Sequence, residues 1–139
     1  MPKIDEKRKF IPVHIAVLTV SDTRDEESDK SGRVLKDCIA EAGHVLKAKA
    51  LVKDDKAAIT AQVKKWIADP EVDAVIATGG TGITGRDVTP EAFRALYEKE
   101  IEGFGELFRI LSFQIIGSST IQSRATAGIA NGTYLFALP

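Results

Sequence analysis

Apolar residues along this chain form short strand-like runs that alternate with stretches of helical spacing. Residues 14–20 and 74–77 are nearly all apolar and β-branched, which is typical of strands covered on both faces of a sheet, and residues 44–52 show a weaker strand pattern. Between these runs, apolar residues recur at helical spacing over residues 34–42 and 59–67. This order of elements predicts right-handed crossovers and a parallel sheet with helices on both faces.

The second half of the chain has a different pattern. Residues 90–99 predict a short helix and residues 104–115 a longer one. Strand-like runs at 123–129 and 133–138 flank Asn131-Gly132, which is a strong local signal for a hairpin. The predicted fold class is therefore α/β, with a mostly parallel sheet plus an antiparallel hairpin near the C-terminus.

Length and composition narrow the class of protein. A chain of 139 residues fits one domain, which we expect at residues 12–139 after a flexible N-terminal arm at residues 1–11. The formal net charge of −1 argues against strong nucleic-acid binding, and the sequence shows neither a signal peptide nor an apolar run that could span a bilayer. We therefore expect a cytoplasmic enzyme or binding protein with no nucleic-acid or membrane partner.

Cysteine, histidine and tryptophan add little chemistry. The single cysteine, Cys38, excludes an intrachain disulfide, and we expect it to be buried because it shares the apolar stripe of its helix. Two histidines, His14 and His44, do not make a zinc site. Trp66 fits the core face of the second predicted helix.

Polar residues follow each predicted parallel strand. Ser21-Asp22 follow the first strand, Asp54-Asp55 the second, and the loop Gly79-Gly80-Thr81-Gly82 the third. Since the carboxyl ends of parallel strands share one edge of a sheet, we expect these residues to meet there in a ligand site. Glycines let backbone N–H groups approach a phosphate closely. Asp87 and Thr89-Pro90 lie just beyond the loop, which suggests phosphate chemistry assisted by a metal ion.

Each of these features has a structural alternative. Asp54 and Asp55 could cap the helix that follows them. Asp87 could close an Asx turn at the start of the next helix. Ser21-Asp22 and the glycine loop could be turns with no ligand at all.

Two further segments are candidates for ligand contacts. Glu106 follows Gly103-Phe104-Gly105, whose glycines suggest close backbone approach, and this glutamate could bind a ligand or cap a helix. Ser123 and Arg124 could offer a hydroxyl and a cation to an anionic ligand, or could lie in a solvated loop.

Four segments resemble the MoaB/Mog family of molybdenum cofactor biosynthesis proteins, and their closest resemblance is to its MoaB branch. The segments are Thr19-Val20-Ser21-Asp22, Gly79-Gly80-Thr81-Gly82 running into Arg86-Asp87-Val88-Thr89-Pro90, Gly103-Phe104-Gly105-Glu106, and Gln122-Ser123-Arg124-Ala125. The likeness extends from about Phe10 to the end of the chain.

The resemblance implies a three-layer sandwich that binds molybdopterin, a pterin carrying a dithiolene and a terminal phosphate. It also implies adenylylation of molybdopterin by ATP, with Mg²⁺ as cofactor, to give adenylyl-molybdopterin and pyrophosphate. Asp54 and Asp87 match the two important acidic positions of active relatives, so the resemblance makes them the catalytic residues and the metal ligands. The other contacts expected for nucleotide, phosphate or pterin are Ser21, Asp22, Gly79, Gly80, Thr81, Gly82, Thr89, Glu106, Ser123 and Arg124.

One alternative to the enzyme is a non-catalytic molybdopterin-binding carrier or scaffold protein of the same pathway. The resemblance also implies a homotrimer or homohexamer, with transient contact to other molybdenum cofactor enzymes. The apolar side of the helix predicted at residues 104–115 could serve that interface or the core. Family members continue beyond the Leu138-Pro139 position into a Gly/Ser-rich loop and a final helix, so we expect this domain to lack that segment.

Overall fold

A six-stranded sheet organises residues 3–139, the part of the chain that the computed structural model describes. Its strands, in chain order, are β1 (His14–Val20), β2 (Val45–Val52), β3 (Ala74–Thr78), β4 (Lys99–Glu100), β5 (Thr126–Ala130) and β6 (Thr133–Leu138). Their spatial order is β2-β1-β3-β6-β5-β4. The first four strands of that order run parallel, whereas β5 pairs antiparallel with both β6 and β4. The mixed sheet and the hairpin confirm the predicted fold class.

The strand order changes direction between β1 and β3. The chain goes from β1 outward to β2, and then crosses back to β3 on the other side of β1. In open α/β sheets, ligands bind outside the carboxyl ends of the strands at such a switch point. A ligand site is therefore expected at the carboxyl ends of β1 and β3.

Within residues 3–139, four helices cover the two faces of the sheet and make three layers. They are α1 (Lys30–Glu41), α2 (Lys56–Ala68), α3 (Thr89–Arg94) and α4 (Glu102–Ile116), the last followed by a 3₁₀ segment, Gly117–Gln122. On one face, Ile59, Val63 and Trp66 of α2 and Phe93 of α3 pack against buried strand residues, so the prediction for Trp66 is confirmed. On the other face, Ile39 of α1 packs against alternate residues of β1.

The local sequence explains how the first two helices begin and how the first one ends. Asp29 caps α1 by accepting a hydrogen bond from the Gly32 N–H at 2.9 Å, and Asp55 caps α2 by accepting one from the Ala58 N–H, also at 2.9 Å. The capping alternative is therefore confirmed for Asp55. Gly43, with φ of +82°, follows the end of α1 in the left-handed conformation that favours glycine.

Three expectations about individual elements are wrong. The helix predicted at residues 90–99 ends at Arg94, and Lys99–Glu100 instead forms the edge strand β4 against β5. The strand predicted from residue 123 begins only at Thr126, because the Ser123 N–H bonds back to the Thr120 carbonyl and the Arg124 N–H bonds to the Thr81 carbonyl. Cys38 is exposed and not buried, because Ile39 rather than its neighbour turns toward the sheet.

Residues 3–11 of the expected arm contain no helix or strand, and residues 1 and 2 lie outside the described range. The β5–β6 turn places Asn131 at φ 48° and Gly132 at φ 76°, as an Asn-Gly hairpin requires. No helix within residues 3–139 is long and apolar enough to cross a bilayer.

Candidate functional site

The glycine loop begins where β3 ends at the switch point. Gly79 and Gly80 have φ angles of +98° and +69°, which residues with a Cβ rarely adopt. A Cβ on Gly79 would collide with the Val20 carbonyl oxygen at the end of β1. The loop therefore needs glycine both for its backbone conformation and for its contact with the neighbouring strand.

Thr89 supports this loop from beneath. Its fully buried hydroxyl donates to the Gly79 carbonyl at 2.9 Å, and its N–H donates to the Gly80 carbonyl at 3.1 Å. Thr89 is the first residue of α3, and the capping position belongs to Val88. The observed role of the Thr89 hydroxyl is thus to hold the loop.

Asp22 and Asp54 lie together beside the loop. The Asp54 N–H donates to Asp22 Oδ1 at 3.0 Å, and Asp22 Oδ2 forms an ion pair with Arg86 at 3.4 Å. A Cβ on Gly80 would lie 3.0 Å from Asp54 Oδ1, so the Asp54 carboxylate faces the loop, while Asp55 caps the helix. Burial, and then the negative charges of Asp22 and Asp87, raise the pKa of the Asp54 carboxyl above its ordinary value.

Asp87 approaches the same loop at Gly82. Its Oδ2 accepts hydrogen bonds from the Thr84 N–H at 2.9 Å and the Thr84 hydroxyl at 2.7 Å, and this oxygen would be 2.7 Å from a Cβ on Gly82. The hydrogen bond from the Thr84 hydroxyl lowers the pKa of the Asp87 carboxyl despite partial burial. Asp87 therefore closes the turn from Thr84 to Asp87, instead of the supposed Asx turn at the start of α3, and also presents a carboxylate to the glycine loop.

The carboxylates suit a metal ion that is shared with a substrate. Within residues 3–139, no group of three or more His, Cys, Asp or Glu side chains is arranged to hold a metal by itself. Mg²⁺ does not need such a group, because it is commonly bound by one or two carboxylates plus phosphate oxygens. Burial, and then the negative charges of Asp22 and Asp87, raise the pKa of Asp54, so a bound cation would stabilise its charged form. Asp54 and Asp87 thus fit Mg²⁺ held jointly with phosphates.

A second part of the edge is rich in hydroxyls and carries a cation. A cavity of about 300 Å³ opens between the ends of β1 and β3, lined by Thr19, Val20, Ser21, Thr23, Arg24, Ser31, Thr78, Gly79 and Pro139. Ser21 Oγ accepts hydrogen bonds from the Thr23 and Arg24 N–H groups at 3.3 and 3.2 Å, which closes a turn. Among the described residues that line it, Arg24 alone has a charged side chain, so the cavity favours an anionic group.

Arg24 and Ser31 line this cavity but were not among the residues predicted from the sequence. Arg24 Nη1 donates to Ser31 Oγ at 3.4 Å across the mouth of the loop between β1 and α1. Both residues lie in or just after the polar stretch that follows the first strand, and this position was the one signal for them.

Glu106 and Ser123 do not line the cavity between the ends of β1 and β3. Glu106 is exposed on α4 and lines a separate cavity of about 200 Å³ with Arg94, Glu100 and Arg109 among others. Ser123 Oγ is buried and has no hydrogen-bond partner among the described residues. The close approach predicted at the Gly103-Phe104-Gly105 segment is confirmed only for Gly105, where a Cβ would be 2.7 Å from the Ala125 carbonyl oxygen.

Arg124 reaches the glycine loop, but its guanidinium is already occupied. Its Nε donates to the Gly82 carbonyl and its Nη2 to the Asp87 carbonyl, both at 2.7 Å, while Nη1 contacts the Glu91 carboxylate. The observed contacts of this residue are therefore all with protein groups.

The glycine loop and the carboxylates at the switch point place this chain among the α/β domains that bind a ligand at the carboxyl ends of their strands. A model described as a probable molybdopterin binding domain matches residues 16–139. The chain belongs to the MoaB/Mog family of molybdenum cofactor biosynthesis proteins, as the resemblance predicted.

Relatives support the same assignment. Molybdenum cofactor biosynthesis protein B of Escherichia coli (strain K12) is 56% identical over 131 residues, which cover 94% of this chain and 77% of that protein. A crystal structure of molybdenum cofactor biosynthesis protein B matches with a TM-score of 0.91 and 47% identity, covering 95% of this chain and 83% of the other. The tungsten cofactor synthesizing protein MoaB from Pyrococcus furiosus matches with a TM-score of 0.75 and 36% identity, covering 92% and 82% of the two chains.

Proposed function

We propose that this chain acts in molybdenum cofactor biosynthesis by catalysing the Mg²⁺-dependent adenylylation of molybdopterin by ATP. Membership of the MoaB/Mog family supports the pathway. The observation that carries the reaction is the pair of carboxylates, Asp54 and Asp87, which face the same glycine loop at Gly80 and Gly82. This pairing of acidic groups with a close-packed loop suits a site that joins two phosphate groups.

The proposed reaction joins two anions. An oxygen of the molybdopterin terminal phosphate attacks the α-phosphorus of ATP, a new P–O bond forms, and the bond from the α-phosphorus to the bridging oxygen breaks. Pyrophosphate leaves with that bond's electron pair. Such a transfer requires positioning and charge neutralisation more than covalent help from the protein.

Residues of this chain supply the positioning. Bound Mg²⁺ would neutralise phosphate charge, and Asp54 and Asp87 are the residues that would hold it. The backbone of the glycine loop would lie against phosphate oxygens, since Thr89 holds the Gly79 and Gly80 carbonyls on its inner side. Arg24 and the hydroxyls around it would bind an anionic part of one substrate. Arg86 pairs with Asp22, but its side chain is 79% exposed and would turn toward a bound phosphate.

Replacing Asp87 with asparagine tests the reaction. Both hydrogen bonds from Thr84 reach the same oxygen, Oδ2, so an amide oxygen can accept them while the charge is removed. We expect pyrophosphate release to fall by about 10²-fold or more, the usual cost of losing one preorganised electrostatic partner. Asp69→Asn is the matched control, because Asp69 likewise uses one carboxylate oxygen, at 2.9 Å from the Glu71 N–H, but lies beyond the end of α2. Equal turnover in the two variants would refute the assignment.

A molybdopterin carrier is the second candidate, and one observation favours it. The Asp87 carboxylate holds the turn at Thr84 and the Thr89 hydroxyl holds the glycine loop, and a binding protein also needs these structural roles. If the protein is a carrier, the wild type would bind the pterin and leave ATP unconsumed. The same pair of measurements, pterin binding and pyrophosphate release, therefore distinguishes the two functions.

A further inference from the structure

Arg124 connects a distant part of the chain to the glycine loop. It lies between the 3₁₀ segment and β5, and its backbone N–H donates to the Thr81 carbonyl at 3.0 Å. This hydrogen bond sets the residue alongside the loop. Only 27% of the side chain is exposed, so the guanidinium is largely enclosed by the groups that it contacts.

The guanidinium binds both ends of one exposed loop, the Gly82–Asp87 excursion. Residues 83–86 are exposed, and the carbonyl groups that flank them belong to Gly82 and Asp87. Arg124 Nε and Nη2 donate to those two carbonyls, each at 2.7 Å. One rigid planar group therefore fixes the distance between the Gly82 and Asp87 carbonyls, where the excursion begins and ends.

Glu91 holds the guanidinium in place. Its carboxylate contacts Nη1 from the first turn of α3, so the cation is paired as well as hydrogen-bonded. This hydrogen bond lowers the pKa of the Glu91 carboxyl. Since its charge is paired and its Nε, Nη1 and Nη2 all bind protein groups, Arg124 is poorly suited to be the main cation for a substrate phosphate.

We propose that Arg124 is a positioning residue that locks the Gly82–Asp87 excursion and thereby holds the Asp87 carboxylate where the reaction needs it. This inference rests on the proposed function for its catalytic consequence, but the locking itself is a property of the loop. A lysine cannot replace the guanidinium in these paired hydrogen bonds, because an ammonium group lacks the planar set of donors. The same lysine would largely replace a guanidinium that served only as a charge for phosphate.

Arg124→Lys separates the two roles. Under the positioning role, kcat falls by about tenfold to a hundredfold and the half-saturating Mg²⁺ concentration rises, while the Kd for molybdopterin changes by less than about twofold. Arg94→Lys is the control, because Arg94 also contacts a glutamate, Glu100 at 3.3 Å, but does not touch the loop. A weaker pterin Kd with unchanged kcat and unchanged Mg²⁺ dependence would overturn the inference.

Hydrogen–deuterium exchange tests the lock without turnover. The N–H groups of Thr84 and Asp87 are both hydrogen-bonded within the excursion. We expect Arg124→Lys to speed their exchange by about tenfold or more while exchange in β1 stays unchanged, as local opening predicts. Unchanged exchange at these amides would overturn the inference even in an active enzyme. If the wild type lacked adenylylation but the variant still showed faster exchange, the proposed function would fail and the lock would stand.

Discussion

Replacing Gly80 with alanine tests whether the protein itself dictates the shape of the glycine loop. Gly80 has φ of +69°, and an L-residue in that region costs about 1–2 kcal/mol. The new methyl group would also collide with the Thr89 hydroxyl, which must then give up its 2.9 Å hydrogen bond to the Gly79 carbonyl. Leaving that buried hydroxyl unsatisfied costs about 1–3 kcal/mol. We therefore expect the free energy of unfolding to fall by about 2–5 kcal/mol.

Two other glycines separate these contributions. Gly132 has φ of +76°, and a methyl group added there would meet no atom within 4 Å, so Gly132→Ala should show the backbone cost alone, about 1–2 kcal/mol. Gly85 has the same open surroundings without a left-handed φ, so Gly85→Ala should be nearly neutral. The excess of Gly80→Ala over Gly132→Ala is then the packing contribution.

Urea unfolding of the three variants and the wild type, at one protein concentration, supplies the free energies. The folded fraction of Gly80→Ala should also lose turnover, because the methyl group would sit 3.0 Å from Asp54 Oδ1. Equal destabilisation by Gly80→Ala and Gly132→Ala would refute the reasoning, since the loop would then have room for a side chain.

Two further predictions concern a buried acid and an apolar surface. Asp29 is buried and accepts hydrogen bonds from the Thr19 hydroxyl and the Gly32 N–H; burial alone would raise its pKa, but these bonds and Lys49 lower it overall. Its stabilising effect is therefore present above the unfolded pKa of about 3.9 and is lost as the pH falls through the lower folded pKa. Urea unfolding should show Asp29→Asn less stable than the wild type by about 1–3 kcal/mol at pH 7. This difference in the free energy of unfolding should shrink below about pH 4. A gap that is constant with pH would contradict this. On α4, several large apolar side chains are exposed, including Ile110 at 60%, so we expect light scattering to show a trimer or hexamer. Ile110→Glu should dissociate this oligomer. The control Val34→Glu, on α1, should leave it intact, although Val34 is 59% exposed. A monomeric wild type would contradict the second prediction.

Periodicity predicted most of the central sheet because those elements depend on local pattern. The apolar runs at β1 and β3 and the Asn131-Gly132 turn each carry their own signal in a few neighbouring residues. The two-residue strand β4 has no such signal, since its conformation depends on pairing with Gly128 and Ile129 of β5. Exposed Cys38 shows a related difficulty, because a broad apolar stripe does not say which of its edges faces the sheet.

The site was predictable only as far as topology could take it. The rule for parallel strands brought Asp22, Asp54 and the glycine loop to one edge, and the structure joins Asp22 to Asp54 by a 3.0 Å hydrogen bond. The contacts of Arg124 could not be predicted in this way. They link it to Gly82, Asp87 and Glu91, which are 33 to 42 positions away in sequence, and no local pattern encodes that distance.

The most direct test of the proposed activity is detection of its product. Wild-type protein would be incubated with molybdopterin, ATP and Mg²⁺, and adenylyl-molybdopterin and pyrophosphate would both be measured by mass spectrometry and enzymatic assay. The account predicts equal amounts of the two products, in proportion to enzyme, and none when Mg²⁺ is chelated. Molybdopterin that binds to the protein while ATP stays intact would contradict it.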